Sequence, residues 1–186
     1  FKEVNDIKEI IKDKKNLIFE AITYRSHPQT NYLKKIIKDK ELGEIKKIES
    51  YFGFKVKRIK DDSRLFKKEL GGGSILDIGC YPISFFTLFL KDENNVNLLN
   101  SKIEDYKTGV DIDAQIELKL NDTIDAKARV CFTENLSNIC KIYCEKGTIF
   151  VPEPWIQNKL SFIEIETKSR YYKNIFKNDK DSYSIQ

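Results

Sequence analysis

From residue 97 to residue 176 the chain is a succession of short segments, 97–106, 114–120, 124–132, 139–144, 148–151, 160–167 and 171–176, several with apolar residues at every second position. A period of two sends alternate side chains to opposite faces of a strand. The separators Asn121-Asp122, Glu145-Lys146-Gly147 and Asn158-Lys159 are turn formers, and tight turns join antiparallel neighbours. The pattern predicts a large, mostly antiparallel sheet, and no internal repeat interrupts it.

Helical spacing belongs to the first half. Ile7, Ile10 and Ile11 mark a short helix that ends in lysines. The apolar run 17–22, broken by Glu20, predicts a buried strand. Helix followed by buried strand is half of a βαβ unit, whose partners would precede Phe1. Pro28 opens a second helix with Tyr32, Leu33, Ile36 and Ile37 on one face, closed by Leu42-Gly43. A strand over 45–56 follows, then a charged surface loop over 57–62 that holds Asp61 and Asp62. Helices gathered early and strands late predict an α+β fold with helices on one face of the sheet.

Composition limits the function classes. With 186 residues, 40% of them apolar and 12% aromatic, the chain can build a core of its own. Its 33 basic and 29 acidic side chains nearly balance, and the basic ones are mostly Lys, with Arg25, Arg58, Arg64, Arg129 and Arg170 the exceptions. Few planar forks for phosphates or bases make nucleic acid an unexpected partner. The apolar stretch 81–90 is about half of the ~20 residues a membrane-spanning helix needs, so a membrane is not expected either. Phe1 is no initiator, and the opening segment lacks the basic, apolar and small-residue regions of a secretory signal, so the chain is read as a fragment. Cys80, Cys131, Cys140 and Cys144 form no Cys-x-x-Cys, and the one histidine is His27. No metal site is expected. Cys140 and Cys144 share a strand face as small buried residues, and free thiols suit a cytoplasmic setting.

The chemistry concentrates at residues 69–83, where Gly71-Gly72-Gly73 precedes Asp77, Gly79, Tyr81 and Pro82. The glycines allow close approaches but are not a dinucleotide fingerprint. Pro82 suits the first turn of a helix over 82–90. Asp77 and Tyr81 would then lie at its N-terminus, where the dipole favours a carboxylate or a phenolate. The same residues also serve a plain loop, a helix cap and a packed ring. Trp155 and Phe132 fit a core better than a pocket.

Residues 69–83 resemble the signature Glu-Leu-Gly-Gly-Gly-x-Leu-x-Asp-x-Gly-x-Tyr-Pro of the Gfo/Idh/MocA oxidoreductases, in the branch with D-xylose and dimeric dihydrodiol dehydrogenases. Phe19-Glu20-Ala21-Ile22-Thr23-Tyr24-Arg25-Ser26-His27-Pro28-Gln29 is similar to a second block of that family. Leu42-Gly43-Glu44-Ile45, Thr108-Gly109-Val110-Asp111, Gly147-Thr148-Ile149 and Val151-Pro152-Glu153-Pro154 follow in order. The resemblance implies a Rossmann domain that binds NAD or NADP, of which residues 1–24 are the end, and a substrate-binding and oligomerisation α/β domain over 25–186. It implies Tyr81 as catalytic acid/base with Asp77 beside it, Tyr24 and Arg25 near the cofactor, and His27 and Arg64 near the substrate. A Glu-Lys-Pro lysine would lie before Phe1. The implied activity is hydride transfer between nicotinamide and a sugar or cyclic polyol, in a homo-oligomer, dimer or tetramer, joined through the sheet face. The alternative is a non-catalytic sensing or interaction module on the same fold.

Overall fold

A computed structural model of the chain describes residues 2–12, 18, 20–92, 94–179 and 184. Eight strands form one sheet: β1 (Ile45–Gly53), β2 (Val96–Asp105), β3 (Asp111–Leu120), β4 (Ile124–Cys131), β5 (Ile139–Cys144), β6 (Gly147–Pro152), β7 (Leu160–Thr167) and β8 (Tyr171–Lys177). Their order is β2-β3-β4-β1-β5-β6-β7-β8. Only β1 and β4 run parallel. Asn121 and Asp122, with φ of 49° and 60°, turn β3 into β4 through the left-handed pair that a two-residue hairpin prefers. The α+β architecture is the one the alternation predicts.

One face of the sheet is covered. Of the helices α1 (Lys2–Ile11), α2 (Pro28–Lys38) and α3 (Cys80–Phe86), the last two cover the core into which Ile48, Phe52, Ala126, Val130, Ile142 and Ile163 point: α2 contributes Leu33 and Ile36, and α3 contributes Phe85 and Phe86. Val4, Ile7 and Ile10 of α1 stay exposed. Trp155 and Phe132 lie in the core, as their surroundings in the sequence suggest. The opposite face carries the cross-strand row Glu49, Lys141, Phe150, Glu164 and Lys173. Here Tyr143 donates its hydroxyl to Glu49 at 2.8 Å, and the Lys173 ammonium lies 3.2 Å from the centre of the Phe162 ring.

Two local expectations change. In the run 17–22, Leu17 and Phe19 lie outside the described residues, and Ile18, Glu20, Ala21 and Ile22 form no strand. Ile18 is exposed. The helix expected at Pro82 begins earlier. Helical backbone runs from Ser74 through a π turn, Ile75–Gly79, into α3 and a closing 3-10 turn, Thr87–Phe89. Asp77 therefore sits in the first turn and Tyr81 a turn beyond it, inside the helix. By length and composition the stretch Lys68–Phe89 could cross a membrane, yet half of it is buried within this molecule. Ile78, Phe85, Phe86 and Phe89 serve the core, whereas Leu70, Leu76 and Ile83 are exposed.

The cysteines are free thiols, Cys131 and Cys140 buried and Cys80 and Cys144 half-buried. Asp113, Cys131 and Glu134 bring possible ligand atoms within 4.8 Å of one another. Both carboxylates, however, are engaged by the Arg129 guanidinium, which offsets part of their charge.

Candidate active site

The loop before α3 is shaped by its glycines. After two 3-10 turns, Arg64–Phe66 and Lys68–Leu70, pinned by the buried Phe66, Gly71 reverses the chain at a φ of 69°. A Cβ on Gly72 would stand 2.7 Å from the Leu65 carbonyl oxygen and 2.8 Å from that of Arg64. Gly73 donates its N–H to the Leu65 carbonyl at 2.9 Å, and at its φ of 113° a Cβ would collide with Asp111 Oδ1. The glycines thus lay the Arg64 loop directly on the start of the helix.

That placement joins two residues of the expected site. The Arg64 guanidinium forms an ion pair with the Asp77 carboxylate. Arg64 is mostly exposed and the Asp77 side chain only 14% so. With one partner in water, the pair is worth roughly 0.2–1 kcal/mol. Its role is orientation more than stability.

Tyr81, four residues on, occupies the same helix face as Asp77. Its half-buried ring meets Phe52 edge-on, with centroids 5.6 Å apart and planes at 86°, and Tyr24 at 6.5 Å. Below lies Trp155, fully buried, 5.2 Å from Phe85 and 5.5 Å from Tyr24. The phenol of Tyr81 therefore rises from a rigid aromatic floor beside a carboxylate that an arginine holds.

The other expected residues have structural partners. Tyr24 is fully buried and donates its hydroxyl to Ser84 Oγ at 3.0 Å; burial pushes its phenol pKa up, against the lowering effect of that bond. Its side chain is enclosed within this domain. Arg25 donates through Nε to Ser84 Oγ at 3.0 Å and through Nη2 to the Ser84 carbonyl at 2.9 Å, clasping the C-terminal part of the helix. His27 is 1% exposed, and its Nδ1 accepts the Gln29 N–H at 3.2 Å as the cap of α2. Burial lowers the imidazole pKa and keeps the ring neutral. Its ring, like that of Tyr24, is enclosed within this domain.

One contributor had no expected role. Asp111, just before which Gly109 turns at a φ of 78°, accepts the Ser74 hydroxyl at 2.6 Å and the Ile75 N–H at 2.7 Å with Oδ2. The carboxylate caps the helix that carries Asp77 and Tyr81, where the dipole favours negative charge. The signal available was its place in Thr108-Gly109-Val110-Asp111.

Residues 30–150 match the model of the GFO/IDH/MocA C-terminal domain. The chain is 30% identical over 135 residues to a trans-1,2-dihydrobenzene-1,2-diol dehydrogenase of Xenopus tropicalis, covering 73% of this chain and 40% of that protein. It is 35% identical over 94 residues to a D-xylose 1-dehydrogenase (NADP(+)) of Haloferax volcanii, covering 50% of this chain and 28% of the other. The fold is shared with the 3-ketoreductase KijD10 of Actinomadura kijaniata, solved with NADP and TDP-benzene, at a TM-score of 0.86 and 16% identity over 99% of this chain and 56% of that one. The chain spans about half or less of the length of the curated relatives it matches. With its sheet order, its glycine-shaped helix start and its Asp77-x-x-x-Tyr81 pair, this chain belongs to the Gfo/Idh/MocA family, whose C-terminal domain it represents.

Proposed function

We propose that the whole protein is an NAD(P)-dependent oxidoreductase acting on a CH–OH group of a sugar or related cyclic polyol, and that this chain supplies the substrate side of its site. The reading rests on the juxtaposition of Tyr81 and Asp77 on one helix face, with Arg64 on the carboxylate and an aromatic floor beneath. The donor set suits a nicotinamide cofactor, because a phenol and a carboxylate can move a proton while the packed aromatic rings beneath exclude water. When bound, the nicotinamide accepts or delivers the hydride.

The remaining work falls to the chain's own residues. Tyr81 Oη takes the proton of the substrate hydroxyl during oxidation and returns it during reduction. A phenol, with a reference pKa near 10, needs a neighbouring cation to do this near neutral pH. Asp77, oriented by Arg64, accepts a hydrogen bond from a substrate hydroxyl. Residues 1–24 are the end of the cofactor domain, and 25–186 the substrate domain. The sheet face bearing Glu49, Lys141 and Lys173 is the surface through which subunits pair, and the free thiols suit a cytoplasmic enzyme.

The test is Tyr81→Phe in the whole protein. Loss of a general acid/base lowers kcat by roughly 10² or more and leaves the affinity for NADH or NADPH nearly unchanged. Undiminished turnover would overturn the assignment.

A further inference from the structure

The helix that carries Asp77 and Tyr81 is not a regular α-helix between them. Ile75–Gly79 form a π turn, and Pro82 has no N–H to give to a preceding carbonyl. Ladder hydrogen bonds therefore constrain the two side chains less than in an ordinary helix. Their position depends on how the ends are held. At the far end Arg25 grips Ser84. At the near end stands Asp111, 36 residues from Ile75 and on the first residue of β3.

Asp111 is fitted to this place from several sides. Its Oδ2 takes both the hydroxyl of Ser74, a fully buried side chain, and the N–H of Ile75. Its Oδ1 occupies the space a side chain at 73 would need, so Gly73 is reserved for it. The next hydrogen bond along, from the Asp77 N–H to the Gly73 carbonyl at 3.0 Å, ends on the residue this carboxylate packs against. A displaced helix start would carry Asp77 away from Arg64 first and Tyr81 away from Phe52 next.

We infer that Asp111 is a positioning residue of the proposed site: it seats the helix start on the sheet so that Asp77 meets Arg64 and Tyr81 stands over Phe52. This rests on the reading of Asp77 and Tyr81 given above. A capping carboxylate whose only role were stability would alter the melting temperature and leave the chemistry of the folded enzyme unchanged.

The experiment compares Asp111→Ala and Asp111→Asn in the whole protein. Asp111→Ala leaves the Ile75 N–H unpaired and the Ser74 hydroxyl with only the long bond to the Val130 carbonyl at 3.5 Å, and a displacement of about 1 Å at the site lowers kcat of the folded fraction some 10- to 100-fold. NADPH affinity stays within about twofold of the parent, since the Asp111 carboxylate is engaged within this domain by Ser74 and Ile75. Asp111→Asn keeps an acceptor oxygen and restores most of the turnover. Hydrogen exchange of the amides at 75–81 accelerates in Asp111→Ala ahead of the rest of the domain, and the emission of Trp155, which packs on Phe85, shifts with it. If Asp111→Ala does not fold, Ser74→Ala removes one donor, keeps the carboxylate and carries the same comparison with a smaller loss. Turnover per folded molecule equal to the parent, or unchanged exchange at 75–81, would overturn the inference. Failure of the catalytic reading is recognised separately, by full turnover in Tyr81→Phe; the exchange and emission readouts then decide alone whether Asp111 seats the helix.

Discussion

Gly72 and Leu65 fit together through an absent side chain: a Cβ on Gly72 would lie 2.7 Å from the Leu65 carbonyl oxygen, closer than carbon and oxygen can stand. The obstacle is backbone, which cannot swing aside as a flexible side chain does. The loop that brings Arg64 to Asp77 therefore depends on the smallest residue at 72. Gly72→Ala must push that loop outward, at a cost of about 1–3 kcal/mol, typical of overpacking. Urea denaturation measures it, and a midpoint equal to that of the parent would contradict the geometry.

Seven residues later the same substitution has the opposite sign. Gly79 has ordinary helical dihedrals, φ −67° and ψ −24°, and a Cβ there would meet the Ser74 oxygen and Val130 Cγ2 at 3.5 Å, an ordinary contact. It would also project toward an apolar pocket of about 40 Å³ lined by Pro82, Ala114 and Ala128. Gly79→Ala removes unfolded-chain entropy without a clash and stabilises by roughly 0.5–1 kcal/mol. The urea midpoint should rise with the slope of the transition unchanged.

The contrast shows what a sequence displays and what it hides. Strands such as β5 and β7 were legible to the residue, because a sheet with one covered face writes its burial as alternation. Gly72 and Gly79 look alike in the chain, and only the backbone of a loop seven residues upstream separates them. Pro82 was a misleading signal: it is a strong helix opener locally, but the π turn before it and Asp111 from β3 start the helix at Ser74. A cap supplied from so far along the chain leaves no local trace. Tyr24 and Arg25 sit side by side in the sequence, yet one is buried and the other half-exposed, a division set by Trp155 and Ser84.

The thiols should divide by environment. Burial raises the thiol pKa of Cys140, Cys144 and Cys80, that of Cys144 to about 11, and Cys131 has no exposed surface. Thiolate is the species that reacts, so little is present near pH 8. Iodoacetamide at that pH should leave Cys131 and Cys140 unmodified in the native protein and label all four cysteines in urea. Mass spectrometry reads the sites, and rapid native labelling of Cys140 would contradict its burial.

His27 makes a distinct pH signature. Its Nδ1 must be unprotonated to accept the Gln29 N–H, and burial lowers its folded pKa below the reference value of 6.5. The unfolded chain therefore binds a proton more readily than the folded one, so stability is full above about pH 6.5, falls as pH drops toward the folded value, and levels off below it. His27 is the one histidine of the chain, so no other imidazole titrates in that window. His27→Asn keeps an acceptor at the cap of α2 and removes the titration. Melting temperatures measured from pH 7 down to pH 5 should decline in the parent and stay nearly flat in the variant. Equal slopes in both would mean that His27 keeps its proton equilibrium on folding, and that the cap does not depend on the neutral ring.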